Sequence, residues 1–269
     1  MTTPKNVPLR LEFSVEVPGS PEQVWAAIAT ADGISSWFLP TDVEEREGGA
    51  IVVHMGETDS PGTITGWDPP RRLEYAEPEW ATLAGQDVDS VTPLVSEFVV
   101  EAQSGGTCVV RVVSSAFGTG ADWEQEFFAD MKKHWLPYFD NLRLYLTHFP
   151  GQRAASLEVS ADVSGAAGPV FAAMREALGA EAVGKPVDTR GVTGQVERIG
   201  ENQLLLRLTD PVPGLLGFVA FDKGDGSTMA AIQGWLFSED AAGFVEREQT
   251  AWQAWLESLP IPAAPQRSR

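Results

Sequence analysis

Between Arg10 and Val17 every second residue is apolar: Leu11, Phe13, Val15 and Val17 alternate with Glu12, Ser14 and Glu16. A period of two predicts a half-buried strand. Pro18-Gly19 ends it. Ser20-Pro21-Glu22-Gln23 then supplies an N-cap serine, a proline at the first helical position and a glutamine placed to close a capping box. From there the period changes, and Val24, Trp25, Ile28 and Ala29 fall on one side of a helix. A second, short helix is predicted over Asp32 to Phe38.

Short apolar segments follow, separated by turn residues. Thr41–Glu45 and Ala50–Met55 flank Gly48-Gly49, Thr63–Trp67 and Arg72–Glu77 flank Asp68-Pro69-Pro70, and Leu94–Glu101 and Thr107–Ser114 flank Gly105-Gly106. Turns this regular predict an antiparallel meander rather than crossover units. Pairing the last two strands so that position numbers sum to 208 sets Phe98 against Val110, Val100 against Cys108 and Glu97 against Arg111. One face is then apolar and the other carries an opposite-charge pair. Tyr75 shares its parity with Leu73 and is expected to point inward, where its hydroxyl can anchor a polar group.

Asp122 to Leu146 predicts one long helix. Trp123, Phe127, Met131, Trp135, Tyr138, Leu142 and Tyr145 recur every three or four residues, a stripe wide enough to cover a sheet. Pro137 lies within it and removes one helical hydrogen bond. Asp122, Glu124, Glu126 and Asp130 gather near the helix start, where they complement its dipole.

The pattern then repeats. Val24-Trp25-Ala26-Ala27-Ile28 returns 146 positions later as Val170-Phe171-Ala172-Ala173-Met174, and Phe13, Val15 and Val17 fall on Val159, Ala161 and Val163. Strands are expected at Ser156–Val163, Gly194–Ile199, Gln203–Thr209, Leu215–Phe221 and Ser227–Phe237, with helices at Pro169–Leu178 and Asp240–Leu259. In the closing helix the offset has shrunk to 117, where Trp252, Leu256 and Leu259 match Trp135, Phe139 and Leu142. The second copy is therefore trimmed, and the missing length falls where the short helix and a strand should be. Domains are expected at residues 1–150 and 151–260, followed by a disordered tail over 261–269.

Size and charge narrow the partners. A chain of 269 residues suits two domains that each bury a core. The net charge is −19, of which −14 lies in residues 1–150. So acidic a surface repels phosphate backbones and anionic headgroups, which argues against nucleic-acid and membrane partners. No apolar run approaches the ~18 residues of a membrane span, and Met1–Arg10 has no secretory core. Cys108 is the single cysteine, so no internal disulfide can form, and a reducing cytoplasm is the expected location.

Strand, two helices, a six-strand meander and a long helix is the order of the START-like superfamily, also called SRPBCC or Bet v 1-like. Three stretches sharpen the likeness. Pro21 to Ile28 resembles the family's first helix, Trp37-Phe38-Leu39-Pro40 its Trp-Phe-x-Pro element, and Gly62 to Leu73 its strand–Asp-Pro-Pro–strand turn. Together they resemble the branch of heat-shock-protein-90 ATPase activator homologues over residues 10–147; the second half resembles it only in element order and helices. The resemblance implies an α+β helix-grip fold, present twice, in which a curved sheet wraps the long helix and leaves a cavity. The eukaryotic activator that names the branch carries a separate N-terminal chaperone-binding domain. This chain starts the fold at about residue 10, so no chaperone partner is expected.

The residues expected to line that cavity are Trp37, Tyr75, Phe98, Val110, Phe127, Met131 and Trp135. Apolar walls with few polar groups suit a small lipophilic molecule. No catalytic set stands out. His54, His134 and His148 lack metal-ligand spacing, Cys108 has no activating neighbour on its face, and no phosphate loop or nucleophile elbow is present, so no metal or cofactor is expected. The leading expectation is a non-catalytic binder in the first domain. A cyclase- or hydrolase-like enzyme stays open and would need two titratable groups converging in the cavity. An interaction or chaperone-associated module stays open too, and would present an exposed apolar patch.

Overall fold

The computed structural model describes residues 6–56 and 58–259. The chain divides into two compact units between Arg153 and Ala154. Each pairs one antiparallel sheet with a long closing helix, an α+β helix-grip arrangement.

The first unit runs β1 (Val7–Pro18), α1 (Pro21–Ala29), α2 (Ala31–Ile34), β2 (Thr41–Val43), β3 (Ala50–Met55), β4 (Thr58–Asp68), β5 (Arg72–Glu77), β6 (Leu94–Ala102), β7 (Thr107–Gly118) and α3 (Asp122–His148). Its seven strands lie in the order β1-β7-β6-β5-β4-β3-β2. The capping box forms as the sequence requires: Ser20 Oγ accepts from Gln23 N–H, and Gln23 Oε1 accepts from Ser20 N–H at 2.9 Å. α3 starts differently, because Ala121 has no side chain with which to cap it. The fully buried Glu124 carboxylate reaches back instead, accepting from Thr119 N–H, Thr119 O–H and Gly120 N–H at 2.8 to 2.9 Å. Gly118 makes room for it, since a Cβ there would collide with that carboxylate. An acid expected to complement the helix dipole is thus a buried staple.

The β6–β7 register differs from the expected one by two residues. Phe98 faces Val112, Val100 faces Val110, and Val99, not Glu97, faces Arg111. The turn is the reason. Gly105 and Gly106 both take positive φ, 88° and 79°, and Gln103 N–H bonds to Thr107 O, closing the hairpin at that pair. A two-residue slip keeps every side chain on its face, so the apolar inner face survives. The outer ion pair changes partner: Glu97 binds Arg72 at 2.6 Å and meets Arg111 only diagonally, at 3.9 Å.

The buried stripe of α3 is also rotated from the expected one. Phe128, Met131, Phe139, Leu142 and Tyr145 are buried, while Trp123, Phe127, Trp135 and Tyr138 are half-buried along its margin. Between β5 and β6 lie two 3-10 turns, Trp80–Ala84 and Val88–Ser90, which the hydrophobic pattern does not predict. Trp80 is 1% exposed, its indole N–H donating to Thr92 O at 2.9 Å.

The second unit runs β8 (Ala155–Ser164), α4 (Ala167–Ala177), β9 (Pro186–Thr189), β10 (Val192–Ile199), β11 (Gln203–Asp210), β12 (Gly214–Asp222), β13 (Ser227–Leu236) and α5 (Ala241–Glu257). Its six strands lie in the order β8-β13-β12-β11-β10-β9. Among the described residues it has one strand fewer than the first unit and no helix between α4 and β9, which is where the shrinking offset placed the loss. The repeated pentapeptide buries the same positions twice: Val24, Trp25, Ala27 and Ile28 in α1, and Val170, Phe171, Ala173 and Met174 in α4. The short β9 was not expected, and it buries only Val187. It turns into β10 through Arg190 and Gly191, both at positive φ, 51° and 77°. The expected disordered tail lies outside the described residues.

Candidate functional site

In the first unit α3 crosses the inner face of the sheet, and α1 and α2 close one end. Trp37 is fixed just after α2 by its indole N–H, which donates to Ala27 O at 2.8 Å. It packs against Phe139 of α3, centroids 5.5 Å apart, and Phe139 stacks on Phe98 at 6.3 Å. Tyr75 and Phe98 stack in turn at 6.0 Å. These rings enclose an apolar cavity whose wall also includes Ile51, Val53 and Thr41. Ile28 and Ile34 line it too, as do Phe38 and Trp135, which meet edge to face at 6.0 Å with Tyr138 beyond at 4.8 Å from Phe38.

The cavity holds about 30 Å³. Pockets that take small molecules run to ~300–1,000 Å³. As it stands the space is water-sized, roughly tenfold short of a ligand.

Four of the seven residues expected at the site line this cavity: Trp37, Tyr75, Phe98 and Trp135. Met131 and Phe127 belong to a neighbouring cluster around Trp80, whose ring lies 4.8 Å from Phe127 and 5.8 Å from Phe128. Val110 is fully buried on β7 between Val15 and Val100. Trp80 thus fills the half of the cup beneath the start of α3.

The inner face also carries a polar track that the expected lining omits. Ser60, Glu77, Ser96 and Ser114 are all buried. Ser60 O–H donates to Glu77 Oε1 at 2.6 Å, and the Ser96 and Ser114 hydroxyls share a hydrogen bond of 2.9 Å. Glu77 Oε2 has no partner. Burial pushes the Glu77 carboxyl up from 4.5 to about 7, only partly opposed by Ser60. Tyr75 is pushed well above its ordinary value, first by burial and then by the nearby Glu77 charge. Parity did carry a signal for Glu77, which is in step with Leu73 and Tyr75 on β5.

Cys108 is fully buried with its Sγ 3.4 Å from Gly19 O, and burial raises its pKa, the opposite of an activated thiolate. His54 sits on the outer face between two acids, Nδ1 at 2.8 Å from Asp59 and Nε2 at 3.1 Å from Asp42. Hydrogen bonds to Asp59 and then Asp42 raise its pKa above 6.5. The pairing therefore adds stability fully below about pH 6.5 and loses it as pH rises through the raised folded value. In Asp59→Asn we expect His54 to titrate at lower pH by NMR, with a smaller drop in Asp42→Asn. Identical titrations in all three proteins would contradict the pairing. Among the described residues, no three His, Cys, Asp or Glu side chains cluster to hold a metal, and no helix is long and apolar enough to cross a membrane.

A second, polar groove of about 360 Å³ lies between α1, α2 and the segment after α3, spanned by an exposed Arg153–Asp32 pair at 3.2 Å. In the second unit, Trp252, which corresponds to Trp135, is 2% exposed against 5.9 Å and 5.6 Å neighbours Phe218 and Trp255. The Arg190 guanidinium caps both tryptophans at 5.2 Å.

Residues 18–147 match the family model described as Activator of Hsp90 ATPase homolog 1-like protein. Among solved structures the chain is similar to the di-domain ARO/CYC BexL from the BE-7585A biosynthetic pathway, at 14% identity over 96% of this chain and 100% of that one, with a TM-score of 0.44. It is similar to DynU16, from the dynemicin biosynthetic locus, at 15% identity over 92% and 96%, TM-score 0.41. The Aha1 dimer from Colwellia psychrerythraea matches at 19% identity over 51% of this chain and 96% of that one, TM-score 0.43. No curated protein matches.

Proposed function

Since the first unit belongs to the family of Activator of Hsp90 ATPase homolog 1-like proteins, within the START-like superfamily, we propose that it binds a small lipophilic molecule between its sheet and α3. The observation that carries this reading is the aromatic mouth at Phe38 and Trp135, half-buried over an apolar space floored by Tyr75 and Phe98. With only about 30 Å³ free, binding requires those rings and the middle of α3 to move outward. Pro137, two residues beyond Trp135, supplies no amide hydrogen to that part of the helix, which lowers the cost of moving it.

A second reading, an enzyme of the cyclase or hydrolase kind, is favoured by one observation: Tyr75 and Glu77 place two titratable groups on the same inner face. The experiment that tests the binding reading is native mass spectrometry of the purified chain, with extraction of any bound molecule. We expect a lipophile to co-purify, and its thermal stabilisation to fall by at least about half in Trp135→Ala or Tyr75→Phe, as when one well-packed contact is lost. Unchanged stabilisation in both variants would move the site elsewhere.

A further inference from the structure

Glu77 is a costly residue in its position. It is 5% exposed, one oxygen is held by Ser60, and the other has no partner. A buried polar atom left unmade costs about 1–3 kcal/mol, so something other than protein is needed to satisfy it. Its place in the sheet indicates what. Glu77 packs over Gly62 beside Ile51: a Cβ on Gly62 would lie 3.3 Å from Glu77 Cγ and 3.1 Å from Ile51 Cγ2. Ser60 stands across from Val53. Ile51 and Val53 both line the cavity, and so does Tyr75, one pleat from Glu77 on β5. Glu77 therefore stands on the same inner face, one pleat beyond the residues of the cavity wall.

We propose that Tyr75 and Glu77 act together as paired O–H donors to the carbonyl oxygen of a lipophilic ligand held in this cavity; the proposal rests on the binding reading above. Ser60 donates to Glu77 Oε1, which leaves Oε2 to carry the proton when the carboxyl is neutral. Burial favours that neutral form up to about pH 7 and keeps Tyr75 protonated throughout. The Ser96 hydroxyl is engaged by Ser114, and no hydrogen bond holds the Tyr75 phenol among the described residues, so its proton is left for a ligand. Among the described residues no cation is ion-paired with Glu77. Ser60 of β4 is uncharged, Leu94 of β6 faces Glu77 from the other side, and the buried acid of α3, Glu124, is taken up by Thr119 and Gly120. Two neutral O–H groups on apolar walls are matched by an acceptor, not by an ammonium or a carboxylate.

The test uses the full chain and two probes of the same shape, acetonaphthone and its carbonyl-free counterpart ethylnaphthalene. Their affinities are compared at about pH 6 and about pH 8.5, on either side of the Glu77 transition. We expect the ketone to be preferred about tenfold at the lower pH, the worth of a buried hydrogen bond, with the preference shrinking severalfold at the higher. Glu77→Gln, whose amide still donates, should keep the preference and lose its pH dependence. Tyr75→Phe should lower it at both values. The carbon-13 carbonyl signal of the bound ketone should move downfield in the native chain. Because each variant is judged by a ratio of two probes, partial destabilisation does not imitate the result. Equal affinity for the two probes at the lower pH overturns the proposal and leaves apolar binding standing. A preference indifferent to pH means that water alone satisfies Glu77, and also overturns it. Failure of both probes to bind counts against the binding reading itself.

Discussion

Glu77→Gln should make the first unit more stable at about pH 8.5, by about 2 kcal/mol, while at about pH 5 it should be neutral or slightly destabilising. The native carboxyl is raised from 4.5 to about 7 in the folded state. Its contribution is thus fully present below 4.5 and is lost as pH rises through about 7. Well above that point the folded chain carries a buried, half-solvated anion, a penalty of about 3 kcal/mol from the same displacement. Glutamine cannot ionise, so the penalty disappears. It keeps an oxygen to accept from Ser60, but its amide hydrogens lack acceptors, which returns about 1 kcal/mol. Hydrogen exchange of β5 and β6 amides in the full chain reads this unit separately from the second one. Parallel pH profiles for the native and variant chains would show that Glu77 is solvated and its burial overstated.

This acid also shows how far the sequence could be read. Alternation along β1, β5 and β6 placed their inward faces correctly because a period of two leaves no choice once one face is buried. The same rule put Glu77 in step with Tyr75, yet an acid at the end of a strand before Pro78 reads as a solvent-facing residue. In the fold, Gly62 on the neighbouring strand leaves room for Glu77, since a Cβ there would lie 3.3 Å from Glu77 Cγ. The β6–β7 pairing slipped for a similarly local reason: glycine torsions in the turn decide which residues meet, and composition does not encode them. Trp80 was invisible to periodicity altogether. Its 3-10 turn is five residues long, too short to show a helical or strand repeat, and only the closed sheet reveals the hole that it fills. Phe127 and Met131 lie on the stripe of the long helix, but without Trp80 in view their side chains were assigned to the cavity lining.

Trp80→Ala should therefore be the most damaging single truncation in the first unit's cup, costing about 3–5 kcal/mol. The indole is 1% exposed, packs on Trp123, Phe127 and Phe128, and donates to Thr92 O. Truncation loses that transfer energy, strands the Thr92 carbonyl and leaves a void walled by aromatic rings. Trp80→Phe keeps most of the packing and loses only the hydrogen bond and part of the ring, so it should cost about 1–2 kcal/mol. Free indole has the shape of what was removed. An apolar engineered cavity stays dry and takes up a matching apolar guest, so indole should raise the melting temperature of Trp80→Ala in a saturable way and leave the native chain unaffected. This separates a packed plug from a segment that merely covers the sheet: rescue requires that the space persist once the indole has gone. If Trp80→Ala loses less than about 1 kcal/mol, the 3-10 segment swings aside freely. The cup would then be open toward the start of α3, and Phe127 and Met131 would return to the binding surface.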